Sequence, residues 1–381
     1  MTDDRRSLRA PIPQPLSPLR LDVPVDLFSP VTLGSLELRN KVAMAPLTRM
    51  RSSVDGVPGE LVADYYAQRA GLGLIVTEGT YPSAESRGYP GQPGIVTPEQ
   101  AAGWARVADA VHERGGVVVM QVMSAGRVSH TDVTGTDRIV APSAIAIDGE
   151  VHTPAGKAPY PVPHALTTAE LDTVKQEFVD AARRAVDAGL DGVEVHGANG
   201  YLLHEFLSPA SNQRTDGYGG SPAERARFVL EVTTAVAAEI GAGRVGIRLS
   251  PAHNIQDVAE TDTADVTATY GALVDGLAPL GLAYLSILHK DPASELVREL
   301  ATRFGGPVMM NTGFAEMTTR EEAHHLIDSD LADVVAVGRP VIANADLVER
   351  WAGGHPENDP NPDTFYGGGA EGYTDYPRLS A

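Results

Sequence analysis

The 381-residue chain predicts a single-domain α/β fold, a (β/α)8 TIM barrel. Two observations carry this: short β-type runs alternate with longer segments of helical periodicity, and eight such runs fit in the available length. Eight units are what the barrel requires. The runs are Lys41 to Ala45, Leu74 to Glu78, Val117 to Val122, Gly192 to His196, Val245 to Leu249, Tyr284 to Leu288, Pro307 to Asn311 and Val334 to Val337. Runs rich in Val, bounded by Gly, read as buried strands.

Helices are expected over Thr97 to Arg114, Thr167 to Ala188, Ser221 to Ile240, Thr261 to Leu280, Thr318 to Ile327 and Asn344 to Trp351. Thr167 or Thr168 with Glu170, and Ser221-Pro222 with Glu224, carry the pattern of an N-cap followed by a first-turn acid. One connection breaks the rhythm, from Ser124 to Pro163, rich in Gly, Pro, Ser and Thr. Leaving the third strand at its C-terminal end, it is expected to be a long loop capping the barrel mouth. Residues 1–25, with prolines at 11, 13, 15 and 18, are expected to be a flexible tail, and residues 26–356 the barrel. The stretch Phe365-Tyr366-Gly367-Gly368-Gly369 reads either as a loose tail or as a segment packed closely over a site.

Composition excludes several functions. Fifty acidic against thirty basic residues give a formal charge of -20, which repels nucleic acid and anionic membranes. The absence of cysteine removes disulfides, thiolate nucleophiles and iron–sulfur clusters, so redox chemistry needs an organic cofactor. Arg5 and Arg6 are followed by prolines instead of the apolar segment of an export signal. No later segment reaches the roughly 20 apolar residues of a membrane span. A cytoplasmic protein, monomer or homodimer, is expected.

The run Gly192-Val193-Glu194-Val195-His196-Gly197-Ala198-Asn199-Gly200-Tyr201 ends abruptly in polar side chains. His196 and Asn199 can hold an oxygen and Tyr201 can give a proton; alternatively, this is a turn whose side chains bond the backbone. Asn311-Thr312-Gly313-Phe314 and Gly338-Arg339 follow the last two strands, where barrels often bind phosphate. The other reading is left-handed glycines with an ion-paired surface arginine. Arg248, inside a strand, needs either a structural carboxylate or an anionic ligand. Gln121 offers donor and acceptor, to a heterocycle or to the barrel itself. Gly71-Leu72-Gly73 precedes its strand and so is no dinucleotide fingerprint. His324 and His325 point to different helix faces, so a metal pair is not expected there.

These motifs together resemble the Old Yellow Enzyme family of flavin mononucleotide (FMN) ene-reductases, from about residue 26 to Pro377. The resemblance rests on His196-Gly197-Ala198-Asn199-Gly200-Tyr201, Met44-Ala45-Pro46-Leu47-Thr48-Arg49-Met50 and Thr77-Glu78-Gly79-Thr80. It rests also on Asn212-Gln213-Arg214-Thr215-Asp216-Gly217-Tyr218-Gly219-Gly220-Ser221, Val337-Gly338-Arg339 and Phe365-Tyr366-Gly367-Gly368-Gly369.

The resemblance implies an NADPH- or NADH-dependent reductase of small activated alkenes, with nitro compounds and nitrate esters as further substrates. It implies that Ala45, Pro46, Leu47, Thr48, Gly79, Gln121 and Arg248 surround the flavin ring, and that Gly313, Phe314, Gly338 and Arg339 hold its phosphate. His196 and Asn199 would grip the substrate carbonyl and Tyr201 would protonate the α-carbon. Tyr89, Met123, Gln256 and Tyr366 would line the substrate side, with residues 357–381 folding back near the active site. Met123 departs from the family's frequent bulky aromatic and implies a differently shaped pocket. Thr48 places the chain with the Thr-containing members. No separate nucleotide fold is present, so the nicotinamide donor and the alkene would use one pocket in turn. The competing class is a flavin-free barrel lyase or isomerase on a phosphorylated small molecule, for which Lys290 is the strand-end Schiff-base candidate.

Overall fold

Strands buried on both faces must be apolar on both, which is why these runs are nearly continuous in Val, Ile, Leu and Met. The computed structural model describes residues 26–313 and 317–379, so the expected N-terminal tail and Phe314 lie outside the described residues. The described residues open with a hairpin of β1 (Val31–Leu33) and β2 (Leu36–Leu38), followed by β3 (Val42–Met44), α1 (Glu60–Gln68), β4 (Leu74–Val76), α2 (Pro98–His112) and β5 (Val118–Val122). An excursion then carries α3 (Thr131–Thr134), β6 (Val140–Ala141), β7 (Glu150–Thr153), β8 (Gly156–Pro159) and β9 (His164–Ala165).

The barrel resumes with α4 (Thr168–Asp187), β10 (Gly192–Gly197), α5 (Leu202–Leu207), α6 (Pro222–Ile240), β11 (Val245–Leu249), α7 (Thr263–Leu277) and β12 (Tyr284–Leu288). It ends with α8 (Glu295–Phe304), β13 (Val308–Asn311), α9 (Arg320–Asp328), β14 (Val334–Val337), α10 (Arg339–Ala343) and α11 (Leu347–Gly353). Strands β3, β4, β5, β10, β11, β12, β13 and β14 close into one parallel barrel, in chain order. All eight expected strands are therefore barrel strands. No helix among the described residues is long and apolar enough to cross a membrane.

Alternation sorts the side chains into two cores. Val193, Val195, Ile247 and Ile287 pack outward against the helices. Ala43, Val76, Val119, Tyr284, Met309 and Val334 fill the barrel interior, together with Leu33, Leu36 and Leu38 of the hairpin. The hairpin is thus a plug for the N-terminal end of the barrel, and ligands are left the C-terminal end. The sequence reading missed it because three-residue strands show too little alternation.

Capping decides several helix starts. Thr167, Thr97 and Ser221 each form a reciprocal capping box, with Glu170, Gln100 and Glu224 respectively. The helix expected from Thr261 starts later, because the Asp262 side chain accepts from the Ala264 and Asp265 amides. The helix expected over Asn344 to Trp351 starts later, as α11 at Leu347, because Asn344 ends α10 with its side chain bonded to Pro340 O. Helices α1 and α8 were not expected from the sequence. The 124–163 connection, expected as a loop, contains an antiparallel hairpin and a parallel pair between β6 and β9.

Gly246 shows how tightly the interior is filled, since a Cβ there would overlap the Tyr284 ring on the next strand. Gly246→Ala should lower the unfolding free energy by about 1–3 kcal/mol, the range for overpacking. The urea midpoint measures it; an unchanged midpoint would mean that the ring moves aside freely.

Candidate active site

Inward positions turn polar toward the C-terminal ends of the strands. Gln121 and Glu194 are register neighbours on β5 and β10, and Gln121 Nε2 donates to Glu194 Oε1 at 2.8 Å. One rung higher, His196 pairs with Arg248, which in turn pairs with Ser286. Arg248 donates to Ser286 Oγ at 3.2 Å and to Asn311 Oδ1 at 2.9 Å, and Asn311 donates to Ala336 O at 2.8 Å. A hydrogen-bonded belt thus crosses from β11 to β14. Burial pulls the Arg248 pKa down and the Glu194 charge pulls it back up. Both sequence readings of Arg248 and Gln121 contain part of the answer: each has barrel partners, yet Arg248 Nε has none.

The catalytic candidates sit on the turn leaving β10. Asn199 is left-handed (φ 60°) and its amide N–H donates to Ser250 Oγ at 2.9 Å. The Gly200 N–H donates to His204 Nδ1 at 2.9 Å. Other side chains thereby satisfy the turn's backbone, while His196 Nδ1 and Asn199 Oδ1 are buried without a partner. The ordinary-turn reading, in which His196 and Asn199 bond the backbone, does not describe this geometry. Burial, followed by the Arg248 charge and the neighbouring His204, holds the His196 pKa well below the usual histidine range. Its imidazole is neutral at neutral pH.

Tyr201 packs beside His196 with ring centroids 5.4 Å apart, and its hydroxyl is hydrogen-bonded to that of Tyr89. Burial pushes the Tyr201 phenol up to about 12; the Tyr89 bond works against the rise and the nearby Tyr160 and Tyr366 add to it. Burial also raises Tyr89 well above the ordinary phenol. Both hydroxyls carry their protons at neutral pH.

The remaining expected residues among those described gather around the same mouth. The Ala45 N–H donates to Val337 O at 2.9 Å, bringing the loop of Pro46, Leu47 and Thr48 alongside β14. A Cβ on Gly338 would lie 3.7 Å from Leu47 Cδ2, in ordinary contact. Gly79 packs on Met123, whose sulfur a Cβ would approach to 2.6 Å. Gln256, also left-handed, covers Gly200 equally closely. Gly313 (φ 107°) follows β13, and Gly338 leads into α10 with Arg339 at its first position. Tyr366 is 65% exposed, on the rim. Lys290 is exposed, and not the buried amine that a Schiff-base lyase needs. His324 packs edge-on against Phe28, with centroids 5.6 Å apart.

Three supports escaped the sequence reading. Arg49 donates to Phe365 O at 2.9 Å and Gly372 O at 3.1 Å, and Arg51 to Thr364 O and Gly369 O, so the C-terminal segment is tied to the β3 loop. His204 Nε2 meets Tyr270 Oη at 2.9 Å and Glu260 Oε1 at 3.2 Å behind the turn that follows β10. Glu205 accepts the Arg127 N–H at 2.8 Å, while Arg127 donates to Gln256 O at 3.0 Å, joining the excursion to α5 and the β11 loop. A charged residue inside an apolar run was the available signal for Glu194, as it was for Arg248.

The family model for NADH:flavin oxidoreductase / NADH oxidase matches residues 26–358. The chain belongs to the Old Yellow Enzyme family. It is 39% identical over 362 residues to a probable flavin mononucleotide-dependent alkene reductase of Leishmania infantum, covering 92% of this chain and 97% of the relative. It is similar to the solved structure of morphinone reductase in complex with tetrahydroNAD, at a TM-score of 0.87 and 44% identity, covering 93% and 98% of the two chains. An old yellow enzyme homologue from Zymomonas mobilis superimposes with a TM-score of 0.88 at 38% identity, covering 93% and 100%. As a member of this family the chain is a flavin-dependent oxidoreductase on a TIM barrel.

Glu205 generates a prediction about stability. Burial raises its pKa from 4.5 to about 8, against the opposing pull of Arg127. Between those values the native state holds a proton that the unfolded state has released, so its contribution to stability falls as pH rises. Glu205→Gln keeps an acceptor for the Arg127 N–H. The thermal midpoint of the variant should match the parent near pH 5 and exceed it near pH 9; parallel curves would mean that Glu205 is ionised throughout.

Proposed function

We propose that this enzyme is an FMN-dependent NAD(P)H oxidoreductase that reduces C=C bonds conjugated to a carbonyl. The observation that carries the reading is the turn after β10, where His196 and Asn199 keep unpartnered polar atoms beside a protonated Tyr201. A neutral imidazole can donate through its ring N–H and the Asn199 amide through its NH2, so both can hold a carbonyl oxygen, whereas the unpartnered Asn199 Oδ1 itself only accepts. Holding that oxygen draws electron density from the conjugated double bond, and the effect grows as charge develops. Tyr201 then gives its proton to the α-carbon while the β-carbon accepts hydride.

The residues present fit FMN. Its ring would lie across the polar belt, against Gln121 and Arg248 and beside Ala45, Pro46, Leu47, Thr48 and Gly79, with its phosphate at Gly313, Phe314, Gly338 and Arg339. The unpartnered Arg248 Nε supports this placement. When bound, FMN supplies the hydride, and a fixed cation near its pyrimidine side favours the reduced, anionic form. Tyr89, Met123, Gln256 and Tyr366 would line the substrate side. The nicotinamide donor and the alkene would share this mouth in turn, giving ping-pong kinetics; the donor is NADPH or NADH, and the tetrahydroNAD bound by a related enzyme supports that class. The alkene-reductase name of the Leishmania relative supports the substrate class. Nitro compounds and nitrate esters are further acceptors on this reading.

Purified protein should be yellow and bleach on adding NADPH without oxygen; colourless protein that binds no FMN would refute the proposal. Tyr201→Phe should leave flavin reduction nearly unchanged and slow reoxidation by a cyclic enone by about 10²-fold or more. Equal losses in both half-reactions, measured by stopped flow, would make Tyr201 structural. With His196 neutral and Tyr201 protonated, reoxidation should stay level from about pH 6 to about pH 10. A fall on the acid side of that range would show His196 taking up a proton.

A further inference from the structure

Glu194 is a buried acid that the proposed chemistry leaves unused. It lies on β10 two residues before His196, with none of its surface exposed. One carboxylate oxygen accepts from Gln121 and the other lies toward the Tyr284 hydroxyl. Its register neighbour on β11 is Gly246, and the Tyr284 ring fills the space that this glycine leaves. Burial raises the Glu194 pKa, and the Arg248 cation, from the same strand as Gly246, together with the Gln121 bond, pulls it back toward the carboxylate.

A carboxylate can only accept, so it removes the usual freedom of a glutamine amide to flip. Gln121 Nε2 must face Glu194, and Oε1 is turned away from it. One N–H remains on Nε2, so the amide offers a donor and an acceptor side by side. That pair complements an imide edge, a carbonyl next to an N–H, which the flavin pyrimidine ring has. Reversing the amide would exchange donor for acceptor and lose the match. Glu194 also has an effect through charge. A carboxylate and a guanidinium buried together offset one another at longer range, and Arg248 without Glu194 would stabilise a nearby anion more strongly.

We propose that Glu194 is a positioning residue that locks the Gln121 amide for an imide edge and, by offsetting Arg248, holds down the reduction potential of the bound flavin. The proposal rests on the flavin site described under the proposed function, and Glu194 acts on that site through Gln121 and Arg248.

The test compares the FMN-loaded parent with E194Q and E194M, measuring midpoint potential by dye equilibration and FMN affinity by fluorescence titration. In E194Q the new side-chain carbonyl still accepts from Gln121, so affinity should change by less than about threefold, while loss of the charge moves the oxidised-to-reduced equilibrium by about tenfold or more. For a two-electron couple that is a rise of about 30 mV. E194M removes the acceptor as well and should weaken FMN binding by about tenfold or more, as expected for losing a hydrogen bond to a charged group. An E194Q potential within about twofold of the parent's equilibrium, about 9 mV, would overturn the charge role. E194M binding FMN as tightly as the parent would overturn the lock. Should E194M fail to fold, the E194Q potential decides alone, because a merely structural role would leave it unmoved. A parent that binds no FMN would refute the flavin site itself, whereas a parent that binds FMN beside an unshifted E194Q refutes only the part given to Glu194.

Discussion

A guanidinium sealed inside a barrel is the constraint on which the top of this structure depends. Arg248 is 3% exposed, and a buried charge has to be matched locally or it destabilises the fold by several kcal/mol. Ser286 and Asn311 take two of its donors, and Glu194 supplies opposite charge from the neighbouring strand. Those demands propagate: Asn311 is oriented by Ala336 O and Glu194 orients Gln121. One cation thereby accounts for polar inward positions on strands that are otherwise apolar. It also lowers the His196 pKa from the adjacent strand, which keeps the imidazole a neutral donor.

The turn after β10 shows the same economy in a different form. A left-handed Asn199 followed by Gly200 exposes backbone N–H groups that must be satisfied away from water. Ser250 and His204 do so from β11 and α5, and His204 is itself held by Tyr270 and Glu260. Because His204 Nδ1 accepts from Gly200, Nε2 is the ring nitrogen that faces those two partners. The side chains of His196 and Asn199 are consequently spared from backbone duty and remain available to a ligand.

Segments remote in sequence complete the mouth. Arg49 and Arg51 leave β3 and bond carbonyls between Thr364 and Gly372, while Tyr373 stacks on Tyr65 with centroids 3.9 Å apart. Backbone carbonyls suit this task, since a glycine-rich strap offers them without bulky side chains in the way. On the opposite rim Arg127 reaches from the excursion to Gln256 O, so the walls around Tyr201 are cross-braced from three parts of the chain.

The barrel was legible in the sequence because its strands are buried on both faces and separated by turn signals, a local pattern that needs no partner to be read. Thr167, Ser221 and their acids were legible for the same reason, as capping boxes close within four residues. Arg248, Gln121 and the His196–Asn199–Tyr201 turn stood out as polar breaks in apolar runs. Their partners did not: Glu194 with Gln121, Ser250 with Asn199, and Arg49 with Phe365 meet only across strands or across hundreds of residues. The hairpin plug and the folded excursion were missed because their elements are too short to show a period. The sequence by itself thus determined the architecture and the chemical types at the mouth. Tertiary structure alone decided which polar atoms are satisfied and which are left for a ligand, since hydrogen-bond satisfaction and burial belong to neighbours in space and not to neighbours along the chain.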